Sequence, residues 1–323
     1  MSSSTDDALD RHLHHVARLF VEGRVVPFLG AGANLCGRRP GQTWPDDPDF
    51  LPSATELSTY LRANWHGCEE TELARVAQWV LEMGGSGELF NVLHDVFDRD
   101  YPPTRLHGLL AELPAMLAEK GYRSRPPLIV TTNYDDLLER ALTAANQPFD
   151  VISYISDGDD RGKFVHIEPG GQPRRIEIPN SYQLAIDKRP SVLKIHGAVD
   201  RRHPDGESNS YVITEDHYID YLTRTELTNL VPATVAAKLR KSHFLFLGYG
   251  LRDWNMRVIL HRIAGEQRLT YQSWAIQRSP TDLDRKFWDR RGVDIFDIDL
   301  GEYVSRLSEC VRQLPVAQAV SRV

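Results

Sequence analysis

Residues 25–29, 128–132, 192–195 and 244–247 are near-continuous apolar runs, too short for helices and without the polar-apolar alternation of a half-exposed sheet. Such runs are strands buried on both faces, and strands of that kind belong to parallel sheets covered by helices. Each run hands over directly to small or polar residues: Gly30-Ala-Gly-Ala-Asn34, Thr132-Asn-Tyr-Asp135, His196-Gly197 and Gly248-Tyr-Gly-Leu-Arg-Asp253. In an open parallel sheet those handovers all fall on the carboxyl edge, where such folds bind their ligands.

The rest of the chain fits this frame. Residues 273–276 and 293–298 read as further strands and 211–214 as a short one, each separated by stretches with helical spacing, so the expectation is a doubly wound parallel sheet. Leu9, Leu13, Val16, Ala17 and Phe20 form the apolar stripe of a lead-in helix. A helix is expected to open near Asn34, after the glycine turn. Ser53-x-x-Glu56 is a capping box that starts another helix, and helices continue to about residue 120. Gly84-Gly-Ser-Gly87 and Tyr101-Pro-Pro103 punctuate them, so residues 35–125 read as a helical module inserted between the first two core strands and roofing the cleft. Residues 153–190 are irregular and Gly- and Asp-rich, a small insertion with room for a hairpin. The organisation expected is a single domain over residues 1–315, with 316–323 as a tail.

Composition removes several classes of function. A formal charge of -7 and a pI near 6.0 argue against direct nucleic-acid binding or an anionic membrane surface. No run of about 18 apolar residues is present to span a bilayer. Cys36, Cys68 and Cys310 are widely separated, with no C-x-x-C pair and no apolar leader, which points to a reduced, cytoplasmic protein.

The residues at the strand ends carry the candidate chemistry. Gly30, Ala31 and Gly32 let backbone approach a pyrophosphate, with Asn34 at the start of the next helix. The sequence stops short of G-x-G-x-x-G, which makes a hydride-transfer enzyme the poorer reading. Thr132, Asn133 and Asp135 join an amide and a carboxylate at one strand end. They suit a ribose hydroxyl, a carboxamide or a water, and they equally suit helix capping. His196 is a candidate general base. Asp253 is both a natural N-cap and a candidate ribose ligand.

In their order and spacing these patches resemble the sirtuin family from about Val25 to about Gln277. The resemblance implies a Rossmann-like fold of sirtuin type, catalysis by Asn133 and His196, and nucleotide contacts from Gly30, Ala31, Gly32, Asn34, Thr132, Asp135, Gly248, Tyr249, Gly250, Asp253 and Gln277. Gly250 stands where that family commonly has a Ser. Protein-deacylating members carry four zinc-binding Cys after the His-Gly strand, and here only Cys310 follows His196, so no zinc module and no zinc are expected. Thr-Thr-Asn-Tyr-Asp, His-Gly and Gly-Tyr-x-Leu-Arg-Asp resemble the zinc-free bacterial branch associated with antiphage defence. That likeness implies an NAD hydrolase releasing nicotinamide and ADP-ribose, with NAD as substrate and no other cofactor. It also implies control by homo-oligomerisation or by a regulatory subunit such as a HerA-like ATPase. The alternatives are a non-catalytic NAD- or ADP-ribose-binding module and, behind it, an NAD-dependent deacylase or ADP-ribosyltransferase.

Overall fold

The computed structural model describes residues 2–44, 49–123, 125–201, 209–223, 230–249 and 269–317. Helix α1 (Ser2–Val21) leads into β1 (Val25–Leu29), and the chain then runs through α2 (Ala54–Asn64), α3 (Leu73–Phe97) and α4 (Arg105–Glu119) to β2 (Leu128–Thr131). After α5 (Leu137–Ala144) come β3 (Asp150–Tyr154), β4 (Phe164–Ile167), β5 (Arg174–Ile176), β6 (Ser191–Lys194), β7 (Gly197–Ala198) and β8 (Ser210–Tyr211). The described remainder is α6 (Glu215–Thr223), α7 (Ala233–Arg240), β9 (His243–Leu247), β10 (Ser273–Ile276), α8 (Asp282–Asp289), β11 (Val293–Phe296) and α9 (Leu300–Arg312).

Nine strands form one sheet in the order β11-β10-β9-β1-β2-β6-β3-β4-β5. Every pairing from β11 to β3 is parallel, and β4 and β5 continue that edge as an antiparallel hairpin built from the irregular insertion. The doubly wound sheet expected from the sequence is therefore present. From β1 the chain first builds toward β2 and later returns to lay β9 on the other side of β1, which makes the crevice between β1 and β9 a topological switch point.

Burial explains the unalternating runs. Val26 and Phe28 of β1, with Phe244 and Phe246 of β9, pack on one face beneath α6 and α7. Val25, Leu29, Leu245 and Leu247 pack on the other, against α1, α4, α5 and α9. Both faces of the strands need apolar side chains, so period-two alternation is lost. Burial of this extent, at about 25 cal/mol per Å² of apolar surface, drives the layering.

One expectation needs correction. The segment after the glycine turn is a single 3-10 turn, Ala31–Leu35, instead of an α-helix opening near Asn34. Its continuation is stopped by Gly37, whose φ of 96° lies in the left-handed region, with Pro40 shortly beyond. The helices after it also divide in packing. Helices α2 and α3 build their own cluster with Trp44, Tyr211 and Ile213, whereas α4 packs with α1, α5 and α9 as part of the sheet's covering layer. Ser53 and Glu56 do form the capping box of α2, and Gly85 kinks α3 with φ 85°.

Candidate active site

The carboxyl ends of β1, β2, β6 and β9 open onto a cleft of about 650 Å³, within the usual range for small-ligand sites. Its roof comes from the start of α2, the start of α3 and Phe97 at the end of α3.

The β1 and β9 turns are locked together. The N–H of Gly30 donates to the Leu247 carbonyl at 3.0 Å and that of Gly32 to the Gly248 carbonyl at 2.9 Å. Gly248 has φ 75°, and a Cβ there would lie 2.1 Å from the Ala33 nitrogen. The glycines thus answer first to a close backbone approach, and the N–H groups of Gly30 and Gly32 are engaged within the protein. Tyr249 lies over Gly30 and bonds through its hydroxyl to Thr132 Oγ1 at 2.7 Å, bridging the ends of β9 and β2.

At the end of β2 the local sequence explains the turn. Thr131 Oγ1 donates to the Leu29 carbonyl at 3.2 Å and accepts from the Asn133 N–H at 3.0 Å, which swings Asn133 toward β1. Asn133 Nδ2 donates to the Gly30 carbonyl at 3.2 Å and to Asn34 Oδ1 at 3.3 Å. Asn34 Nδ2 in turn donates to Asp135 Oδ2 at 2.6 Å, while Asp135 Oδ1 accepts the N–H of Leu137, the first residue of α5, at 3.1 Å. Asn34, Asn133 and Asp135 are all buried, at 4 %, 8 % and 5 % exposure.

His196 lies in the turn just beyond β6, after Ile195, and lines the same cleft. Its ring meets Tyr218 and Tyr221 edge-on at 5.5 Å, and its carbonyl accepts from the Val212 N–H at 2.9 Å. Gly197 comes next with φ 86°, and a Cβ there would fall 2.1 Å from the Ser210 carbonyl, so glycine is required for β8 to close against β7 beside the histidine.

A buried ionic cluster supports the floor. The Lys194 ammonium, 2 % exposed, binds Glu139 Oε1 at 2.9 Å and also donates to the Asp135 carbonyl. Burial pushes the Glu139 carboxyl up against the opposing pull of Lys194. Burial likewise pushes the His107 imidazole down to about 4, against the Asp135 carboxylate and with the help of Lys194. Neutral His107 accepts the Thr104 N–H at 3.1 Å, and Thr104 Oγ1 donates to the Ala33 carbonyl at 3.1 Å, so the end of the glycine turn is held from beneath.

Ala31, Gly32, Asn34, Thr132, Asn133, Asp135, His196, Gly248 and Tyr249 therefore meet around one cleft, with Gly30 immediately behind Asn133. Gln277 sits apart: it succeeds β10, on the far side of β9 from β1, and its N–H donates to the Phe296 carbonyl. Gly250 and Asp253 lie outside the described residues. Sequence reasoning missed Lys194, Thr104 and His107. A lysine inside the apolar run before His196 and a Thr-x-x-His cap after two prolines were the available signals.

Among the described residues one His-carboxylate group is close enough to suggest a metal: Asp150, His166 and Glu168. Arg189 binds both oxygens of Asp150 at 2.7 and 2.9 Å and His166 adds a third contact at 2.9 Å, so a guanidinium already occupies the place a cation would take.

The model of the SIR2-like domain matches residues 127–296, more than half the chain, and the chain belongs to that family. It is 24 % identical over 290 residues to "Defense-associated sirtuin 2" of Bacillus subtilis, covering 87 % of this chain and 24 % of that protein. It is 30 % identical over 196 residues to "NAD(+) hydrolase ThsA" of Acinetobacter baumannii (strain 532279), covering 60 % and 32 %. The corresponding protein of Bacillus cereus (strain MSX-D12) is 24 % identical over 243 residues, covering 73 % and 42 %. The chain spans only 24 to 42 % of the lengths of these relatives. A solved chain described as "Structural Basis for the Mechanism and Regulation of Sir2 Enzymes" covers 93 % of this chain and 97 % of its own, at 13 % identity and a TM-score of 0.44.

Proposed function

We propose that this chain hydrolyses the nicotinamide glycosidic bond of NAD and serves antiphage defence by depleting it. The observation that carries the reading is the convergence of Asn133 and His196 on one roofed cleft at the switch point of the sheet. Membership of the SIR2-like family supports an NAD-acting enzyme, and the names of its relatives support hydrolysis and defence.

In this reading Tyr249, Thr132 and the turn at Ala31 hold the nucleotide, and Asn133 orients the nicotinamide end or the attacking water. Bond cleavage leaves the electron pair on the pyridine nitrogen, which loses its positive charge, while cationic character builds on the ribose. The water oxygen bonds to the anomeric carbon and its proton passes to His196. General-base help of this kind contributes about 10²–10⁴ in rate. Burial of the cleft beneath α2 and α3 limits bulk water and strengthens every dipole aimed at the reacting carbon. Such an activity requires restraint, and we place that restraint in self-association or in a regulatory subunit.

Nicotinamide release from NAD, followed for the purified wild type, Asn133→Ala and His196→Ala, tests the assignment. Release by the wild type with at least about a hundredfold loss in each variant is expected. Wild-type rates in either variant would remove that residue from the chemistry. Tight binding without turnover by the wild type would leave a binding module.

A further inference from the structure

Asp135 and Asn34 do something more specific than line the cleft. An ionised carboxylate can only accept hydrogen bonds, and Asp135 has its two oxygens on the Leu137 N–H and on Asn34 Nδ2. Asn34 must therefore turn its amino group toward Asp135, which leaves its carbonyl oxygen facing Asn133. Asn133 in turn has both amide protons engaged, one on Asn34 Oδ1 and one on the Gly30 carbonyl. Its carbonyl oxygen is the polar group left for the cleft. Turning either amide over would set oxygen against oxygen or donor against donor, in a site where all three side chains are buried.

We infer that Asp135 and Asn34 are positioning residues that fix Asn133 with its carbonyl oxygen toward the cleft, so that the site is built to receive a hydrogen-bond donor: a water or ribose O–H, or a carboxamide N–H. The inference rests on the reading that Asn133 serves NAD cleavage. It gives Asp135 a role at one remove from the substrate, with the negative charge acting through two amides.

Asp135→Asn keeps size and can still accept the Leu137 N–H with its oxygen, but it then points an amino group at Asn34. Asn34 must turn over, and Asn133 after it, presenting donors to the cleft. Asn34→Asp alone sets two carboxylates face to face at 2.6 Å. In Asn34→Asp/Asp135→Asn the new amide donates to the new carboxylate, which accepts from Asn133 as before, and the original polarity returns with no change in net charge.

The experiment is steady-state NAD hydrolysis by the wild type, both single variants and the double variant, with NAD affinity by calorimetry and melting temperature for each. Asp135→Asn is expected to lower kcat about 10- to 100-fold, as misplacing a positioned group does, with a much smaller change in KM, and the double variant to recover to within about threefold of wild type. A double variant no better than the worse single, or an Asp135→Asn enzyme with wild-type kcat, would overturn the inference. If the wild type binds NAD without turning it over, the hydrolase reading fails separately. The same swap pattern in Kd then supports the polarity chain, and its absence refutes it. A wild type that neither binds nor cleaves NAD overturns both.

Discussion

Replacing Lys194 by Met removes a cation that the fold has buried and leaves its two partners behind. Glu139, 15 % exposed in its side chain, loses the ammonium that pairs with it at 2.9 Å, and the Asp135 carbonyl loses the same donor. Breaking a buried pair from one side costs about 3–5 kcal/mol, a large share of the roughly 5–15 kcal/mol that holds a domain together. The pH dependence has a definite sign. Burial already raises the Glu139 carboxyl, and losing Lys194 raises it further. A carboxyl held above its unfolded value stabilises the folded state while protonated, and that stabilisation is lost as pH rises through the folded value. The deficit of Lys194→Met relative to wild type should therefore be larger at pH 8 than at pH 5.5. Lys194→Met/Glu139→Gln removes both charges and should recover most of the loss, because apolar or neutral replacements of a buried pair are often nearly neutral. Urea unfolding at the two pH values, with unchanged m, measures all of this. A loss below about 1 kcal/mol at pH 8, or a double variant no more stable than the single, would refute the reasoning.

Acid should weaken the fold through its buried histidines. Burial holds His12 down at about 3, where its ring bonds Tyr303 at 2.9 Å, and His107 at about 4. Groups depressed in the folded state contribute stability above their unfolded value near 6.5 and lose it as pH falls toward the folded value, about 2 kcal/mol each by pH 5. Unfolding curves between pH 7.5 and 5 should show that decline, with a shallower slope in His12→Gln. Gly248→Ala, whose added carbon would meet the Ala33 nitrogen at 2.1 Å, should cost more than about 2 kcal/mol and abolish nucleotide binding in calorimetry. Gly108→Ala, with nothing within 4 Å of the new carbon in α4, should gain about 0.5–1 kcal/mol.

The sheet was legible because strands buried on both faces leave an unmistakable apolar run, as at Val25–Leu29 and at residues 244–247. The edge residues were legible because small and polar groups directly succeed such runs. Less legible was what those residues do to each other. Asn34 and Asp135 are 101 positions apart, and nothing local says that a carboxylate will orient one amide through another. The short turn at Ala31–Leu35 has the look of a helix start because Gly37 and Pro40 act only a few residues later. Lys194 hid inside a strand pattern, where a charge is normally a reason to doubt the strand. Here it is matched by Glu139 one helix away, a pairing that only the tertiary structure reveals.

The central claim, that this cleft cuts the nicotinamide bond of NAD with water, is met most directly by a product balance. Purified wild-type protein, concentrated enough to self-associate, is incubated with NAD and no acyl or protein acceptor, and the nucleotides are separated and quantified. Nicotinamide and ADP-ribose appearing in equal amounts as NAD disappears is the result the account predicts. NAD recovered intact although bound, or nicotinamide released only when an acyl-lysine peptide is added, would contradict it.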